Sequence, residues 1–319
     1  MSALENAPKE KLIEETNRMA GIGSLRGKFN VVFEDTTSAG VGKSEKYHSA
    51  NGEIIVQRPD SIFLKIDAFN IDIAQMTSNG KKFRVAVLED GGSGKYKKFL
   101  TGTPGADYSA LQKVVSDIDP GAGDKNQVAK KNANAFSNIR PQHFTDALLI
   151  KPTQPEGGEY FYVQSEIFQD EMNSMSSKRS APGWINHGYY LLEELKKKGN
   201  DLVISRRFWF DRIGTIRLAR QQIFDDAGTL ESDIVYGNLG NFTETKNYTL
   251  PLRIELTRPK EKYKMTLTYE APESVIIGKE WPEKIFNLEN RWSLPEVDLD
   301  KKLSEMKRGA SQAANKGEQ

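Results

Sequence analysis

The chain has 319 residues, 37% hydrophobic and 28% charged, and its 45 basic and 44 acidic residues leave a formal net charge of +1. That composition suits a folded protein with a sizeable core, and the balance gives no reason to expect a nucleic acid or an acidic membrane surface as partner. The absence of cysteine excludes disulfides, thiolate catalysis and cysteine-based metal sites.

No apolar run approaches the roughly 20 residues that a membrane-spanning helix needs. The first residues, MSALENAPKEKL, have neither the basic start nor the apolar core of a secretion signal. The sequence is therefore expected to be that of a cytoplasmic protein, or of a form whose leader has been removed.

Lys9 to Ala20 is expected to be an amphipathic helix, with Leu12, Ile13, Thr16 and Met19 at helical spacing and Gly21-Ile22-Gly23 as its stop. Leu25, Gly27, Phe29, Val31 and Phe33 then alternate with mostly polar residues, as in a half-buried strand. Thr37 to Ser44, TSAGVGKS, matches only the second half of a phosphate-binding loop and runs on into a probable strand, so it is read as a hairpin connection.

Gly52 to Leu88 predicts four consecutive strands: Gly52–Gln57, Ser61–Asp67, Ile71–Thr77 and Lys81–Leu88, with turns at Arg58-Pro59-Asp60 and Ser78-Asn79-Gly80. Ile62, Leu64 and Ile66 fall on one face and Phe63, Lys65 and Asp67 on the other. This is a meander with one greasy face. Gly91 to Gly94 is a hairpin connection, and Lys95 to Leu100 pairs back.

From Thr101 to Pro155 the period changes, and Tyr108, Leu111, Val114 and Val115, then Phe144, Ala147, Leu148 and Leu149, fit helices laid over the sheet. Strands resume at Glu159–Phe168. Met172 to Asn186 has little periodicity and is expected to be a mobile loop. Further strands are expected at Tyr189–Lys197, Leu202–Phe210, Gly214–Phe224 and Ser232–Gly237, followed by a regular pair around Arg258-Pro259-Lys260. Beyond Leu299 the composition predicts a frayed helix and a disordered end.

The fold class that follows is mainly β with helices (α+β), its strands joined up-and-down by short turns. A sheet this wide must curl or split. Chemistry is sparsely signalled. His48, His143 and His187 are far apart without partners at metal-ligand spacing and read as surface or loop residues. The Glu193-Glu194 and Asp225-Asp226 neighbours read as solvated carboxylates. No catalytic residue, metal site or cofactor is expected, and the protein is not expected to be an enzyme.

The segment GEIIVQRPD at Gly52–Asp60, the turn Ser78-Asn79-Gly80-Lys81 and the later Asp211-Arg212-Ile213-Gly214-Thr215-Ile216 follow one another as the landmarks of the LolA/LolB lipoprotein-carrier superfamily do. The chain resembles that family over about Lys9–Leu100 and Asp201–Leu288. The resemblance implies a single curved antiparallel sheet forming an unclosed β-barrel covered by helices. It gives one domain over residues 1–296, with a helical and loop insertion at about 101–158, a loop at 172–186 and a flexible tail at 297–319.

It also implies an apolar cavity that takes the acyl chains of lipoproteins, or other lipids, between the inner and outer membranes. Phe29, Val31, Phe33, Ile54, Val56, Ile62, Leu64, Ile66, Phe83, Val85, Leu252, Ile254 and Leu256 are the candidates to line it. Arg58 matches the arginine that closes the helical cover in LolA-like carriers, and its plainer reading is a turn residue beside Pro59. Expected partners are lipid cargo, an inner-membrane exporter and an outer-membrane receptor, with a monomeric protein in the periplasm or anchored to the outer membrane as a lipoprotein. The same fold serves RseB-like envelope sensors that bind a protein partner, so a sensor or scaffold is the alternative. Two departures stand out: Thr101 to Asn200 exceeds the family pattern, and Arg258-Pro259 repeats the Arg-Pro turn.

Overall fold

Alternation of apolar and polar residues, broken by short turns, sets most of the architecture. The computed structural model describes residues 4–36, 45–46, 49–68, 71–89, 94, 97–106, 108, 111, 140–172, 184–241, 249–270 and 275–316. They group into two compact units. The first comprises residues 1–22, 150–240 and 250–262, and the second residues 23–149, 241–249 and 263–319. The expected features at Thr37–Ser44 and His48, most of the helix expected from Tyr108 to Val115 and most of the 172–186 loop lie outside the described residues.

In the second unit the meander forms as its sequence dictates: β1 (Ser24–Asp35), β2 (Glu45–Lys46), β3 (Ala50–Gln57), β4 (Ser61–Ala68), β5 (Ile71–Asn79), β6 (Phe83–Val87) and β7 (Lys98–Gly102). Gly80 at φ +80° makes the β5–β6 reversal, a conformation that glycine adopts without a Cβ penalty. The later strands β14 (Tyr263–Tyr269) and β15 (Ile276–Ile277) return to pair with β1. The order is β16-β7-β6-β5-β4-β3-β1-β14, antiparallel except that the short β16 (Glu296–Asp298) runs parallel to β7. Helix α2 (Pro141–Leu148) packs against β4 and β5, and α3 (Leu299–Lys316) against β7.

Register aligns the apolar residues in rows. Ile54 faces Leu64, Leu64 faces Met76, Met76 faces Val85 and Val85 faces Leu100. Two residues along, on the same face, Val56, Ile62, Ser78, Phe83 and Gly102 form the next row. On β1, Gly27 faces Ile54, while Val31 and Phe33 face Leu267 and Met265.

The opposite face is not the solvated one that alternation predicts. The chain around the 3-10 turn Glu283–Phe286 lies against β4 and β5. Trp281 N–H donates to Gln57 Oε1 at 2.7 Å, and Leu288 N–H to Thr77 Oγ1 at 3.0 Å. Gln75, Thr77 and Ala86 are consequently buried, and β5 is buried without a break from Ala74 to Ser78. Beyond Leu299, where composition predicts a frayed helix, α3 follows directly on β16, and Asp300 in its first turn binds Thr103 Oγ1 at 3.0 Å and the Tyr108 hydroxyl.

The first unit pairs β8 (Tyr160–Met172), β9 (Trp184–Lys198), β10 (Asp201–Asp211), β11 (Arg217–Phe224), β12 (Leu230–Asn241) and β13 (Thr249–Arg258) in the order β13-β12-β11-β10-β9-β8. Helix α1 (Lys9–Ala20) spans the residues predicted for it and ends at Gly21, whose N–H donates to Asn17 O at 2.9 Å. It packs against β9 and β11 and buries Leu12, Thr16 and Met19. The row Leu192, Phe208, Gln221 and Ile234 runs across the sheet, every member buried. Among the described residues no helix is long and apolar enough to cross a membrane.

Gly52 shows how tightly the second unit is filled. A Cβ there would come within 2.6 Å of the Phe29 ring and 2.9 Å of Lys65 O. Gly52→Val is expected to cost about 1–3 kcal/mol in thermal or denaturant unfolding through overpacking. Gly23→Ala, where nothing lies within 4 Å of the added carbon, should leave the transition within about 0.5 kcal/mol of the unaltered protein.

Candidate functional site: the apolar face under helix α2

The structure brings the candidates Phe29, Val31, Phe33, Ile54, Val56, Ile62, Leu64, Ile66, Phe83 and Val85 together in the second unit, all of them buried. Leu252, Ile254 and Leu256 belong to β13 of the first unit, the last two buried and Leu252 half-buried. Helix α2 lies over the face that carries the apolar rows. At its N-terminus the Arg140 guanidinium sits 5.6 Å from the Phe83 ring centre and 5.0 Å from that of Tyr108. One turn on, His143 hydrogen-bonds the Tyr263 hydroxyl, and Tyr263 stacks on Phe33 at 5.1 Å. Phe144 and Ala147 complete the buried side of the helix.

His143 is thus buried, not the surface or loop residue its sequence context suggests. Its Nδ1 accepts the Arg140 N–H at 3.2 Å, which requires that nitrogen to be unprotonated, so the Tyr263 hydroxyl donates to it as well. The ring closes the first turn of α2 and seats it on the sheet at the same time.

The chain leaving α2 is held by Arg206, which the sequence did not single out. Arg206 donates to Lys151 O at 2.6 Å and to Pro152 O at 2.9 Å, and its guanidinium also pairs with Glu194. Glu194 further accepts from Ser205 Oγ and the Tyr162 hydroxyl, each at 2.8 Å. It is a buried counter-ion, 2% exposed, and not a solvated neighbour of Glu193. Glu193 pairs with Arg207 from a half-buried position. A register shift between Ile204 and Arg206 admits the extra residue Ser205, whose hydroxyl reaches Glu194.

Burial works against ionising Glu194, but the hydrogen bonds and charge of Arg206, with those from Ser205 and Tyr162, outweigh it and hold the carboxyl below the ordinary glutamate value. The Tyr162 hydroxyl is pushed up by burial and by Glu194. Among the described residues no group of three or more acidic or histidine side chains is placed to hold a metal ion. The first unit also has an open cleft of about 240 Å³ at the β9–β10 and β11–β12 turns, lined by Lys196 to Lys198, Phe224 and Asp226.

No family model matches the chain, and no curated protein sequence matches it. Several solved structures align with most of it. One is a LolA superfamily protein from Nitrosomonas europaea, 11% identical, with a TM-score of 0.42, covering 89% of this chain and 99% of that one. A DUF1329 family protein from Desulfovibrio piger is 10% identical with a TM-score of 0.42, covering 88% and 95%. A domain of an outer membrane lipoprotein-sorting protein from Vibrio parahaemolyticus is 11% identical with a TM-score of 0.42, covering 88% and 95%.

The LolA-like landmarks have definite places. Arg58 lies half-buried at the β3–β4 turn, where its N–H donates to Gly23 O at 2.8 Å; burial lowers its pKa, opposed by Asp60. The second Arg-Pro turn is different in kind. Arg258 is buried, donates to Ser232 Oγ at 2.6 Å and grips Glu261 through two nitrogens.

The Asp211–Ile216 landmark is a fastening of the first unit. Asp211 accepts from Ile213 N–H at 2.8 Å, hydrogen-bonds His187 at 2.9 Å and pairs with Arg217 at 2.7 Å. Arg212, 4% exposed, stacks over Tyr190 and donates to Glu5 O and Asn6 Oδ1.

A carboxyl whose folded pKa is depressed stabilises the fold above its unfolded value, and that contribution disappears as pH falls through the lower folded value. Glu194 is such a group. Glu194→Gln is therefore expected to lose about 3–5 kcal/mol at neutral pH by leaving Arg206 without its counter-charge. Its unfolding free energy should also change less than that of the unaltered protein on acidification below the ordinary glutamate range, as read by denaturant unfolding across pH.

Proposed function

We propose that the protein binds acyl chains of lipoproteins, or other lipids, on the apolar face of the second unit that helix α2 covers, and transfers them without covalent chemistry. The observation that carries this reading is the seating of α2. An eight-residue helix with Phe144 and Ala147 on its buried side covers rows of isoleucine, leucine, valine and phenylalanine that run across several strands.

Magnitudes favour displacement of the helix by cargo. Burying about ten methylenes contributes roughly 8 kcal/mol, whereas removing a buried phenylalanine side chain costs about 3–5 kcal/mol. An acyl chain that takes the place of α2 keeps the rows covered. Release then follows when the helix closes again, so cargo and cover compete for one surface.

In this reading Arg58 restrains the cover from the β3–β4 turn, and the protein works as a monomer in the periplasm, free or lipid-anchored at the outer membrane. It receives cargo from an inner-membrane exporter and yields it to an outer-membrane receptor. A sensor or scaffold of the RseB kind would keep α2 in place throughout.

A synthetic palmitoylated peptide carrying an environment-sensitive fluorophore tests the reading. The protein should bind it saturably and with a blue shift. Phe144→Ala, which weakens the cover, should raise the rate of uptake several-fold while lowering stability by about 3–5 kcal/mol. Amide exchange in residues 141–148 should quicken when the ligand is bound. Absence of saturable binding by both proteins, or binding with no change in α2 exchange, would sink the proposal.

A further inference from the structure

Strand β8 ends the sheet of the first unit. It pairs with β9 along its whole length, from Tyr160 opposite Lys196 to Met172 opposite Trp184, without a register shift, and no strand of the described residues lies on its other side. Glu159 O accepts the Lys197 N–H at 2.7 Å. By strict alternation, Phe161, Val163, Ser165 and Ile167 also turn their backbone groups toward β9. Tyr162, Gln164, Glu166, Phe168 and Asp170 therefore present N–H and C=O at the open edge. Among the described residues, Tyr160, whose carbonyl accepts from Gly157 N–H at 2.9 Å, and Tyr162, whose N–H donates to the Glu156 carboxylate, are closed off by the neighbouring chain.

Sheet edges are ordinarily blunted by shortness, lysine, proline or a bulge. The β7 edge of the second unit is capped in that way, by the three-residue β16. Strand β8 has 13 residues, none of them lysine, arginine, proline or glycine. Val163 and Phe168 on it are 46% and 53% exposed.

Its charges are all of one sign: Glu166, Asp170 and Glu171. The Glu166 side chain is 52% exposed although one of its oxygens pairs with Arg212, and Asp170 accepts from Asn186 at 3.0 Å. Their cross-strand neighbours on β9, Tyr190, Asn186 and Ile185, carry no charge. Pairing with a second copy is opposed by this pattern. An antiparallel self-pair centred on Glu166 sets that residue against its own copy, and one centred on Phe168 sets Glu166 against Asp170, like charges facing directly.

We propose that the β8 edge binds an extended basic segment of another protein by strand addition. Glu166, Phe168 and Asp170 all present their backbone to the edge and lie two residues apart. The segment that fits therefore carries two lysines or arginines four residues apart, opposite Glu166 and Asp170, with an apolar residue midway, opposite Phe168.

The probe is a blocked peptide of sequence TVTKTVTKTVT bearing a fluorophore, with TVTETVTETVT as its counterpart, titrated by fluorescence anisotropy. The lysine peptide should bind at least about tenfold more tightly than the glutamate peptide. Amide exchange at Gln164, Glu166 and Phe168 should slow on binding, while that at Val163 and Ser165 stays as it was. Phe168→Pro removes an edge donor and leaves the β9 ladder intact, so it should abolish binding. Phe168→Ala removes the ring but keeps the donor and should retain binding within a few-fold, with folding of both variants followed by circular dichroism. Equal affinity for the two peptides, unchanged binding by Phe168→Pro, or protection of the edge amides in a dimer without peptide would each overturn the proposal.

Discussion

A sheet that is apolar along matched rows must keep those rows from water, and the second unit is arranged by that requirement. The rows through Ile54, Leu64, Met76 and Val85 and through Val56, Ile62 and Phe83 are fixed in register by hydrogen bonds between consecutive strands. What covers them is a short helix whose buried residues are Pro141, His143, Phe144, Thr145 and Ala147, and which is oriented by contacts at its first turn. Isolated helices of this length are unstable in water. Helix α2 owes its form to the face beneath it, as much as the face owes its dryness to the helix.

Arginine does in the first unit what apolar packing does in the second. Arg206, Arg212 and Arg258 are each buried and each bind more than one partner: Arg206 two carbonyls and Glu194, Arg212 the segment at Glu5 and Asn6, Arg258 a serine and Glu261. Such groups are costly to bury and costlier to leave unmatched. They fix particular chain segments at particular places, which apolar contacts alone do less specifically.

The strands were legible because their signal is local. Alternation and turn residues placed β3 to β6 within two residues of their observed limits, and the spacing of Leu12, Thr16 and Met19 gave α1 outright. What escaped depends on residues distant in sequence. The burial of Thr77 and Ala86 comes from a segment some 200 residues later, around Trp281 and Leu288. No pattern within β5 or β6 announces it. Glu194 beside Glu193 looks like surface charge until the insertion of Ser205 and the approach of Arg206 turn it inward. His143 lacks neighbours in sequence, yet Tyr263 reaches it from 120 positions away.

The glycines on the covered face carry a last implication. At Gly27, Gly52 and Gly102 the space a Cβ would need is taken by the rings of Tyr269, Phe29, Tyr108 and Phe83. Each of these side chains is sunk into a notch of the backbone, and the Tyr108 hydroxyl is pinned there by Thr103 and Asp300. Any side chain at those three positions would have to lift an aromatic residue out of its notch and so raise the floor of the covered face.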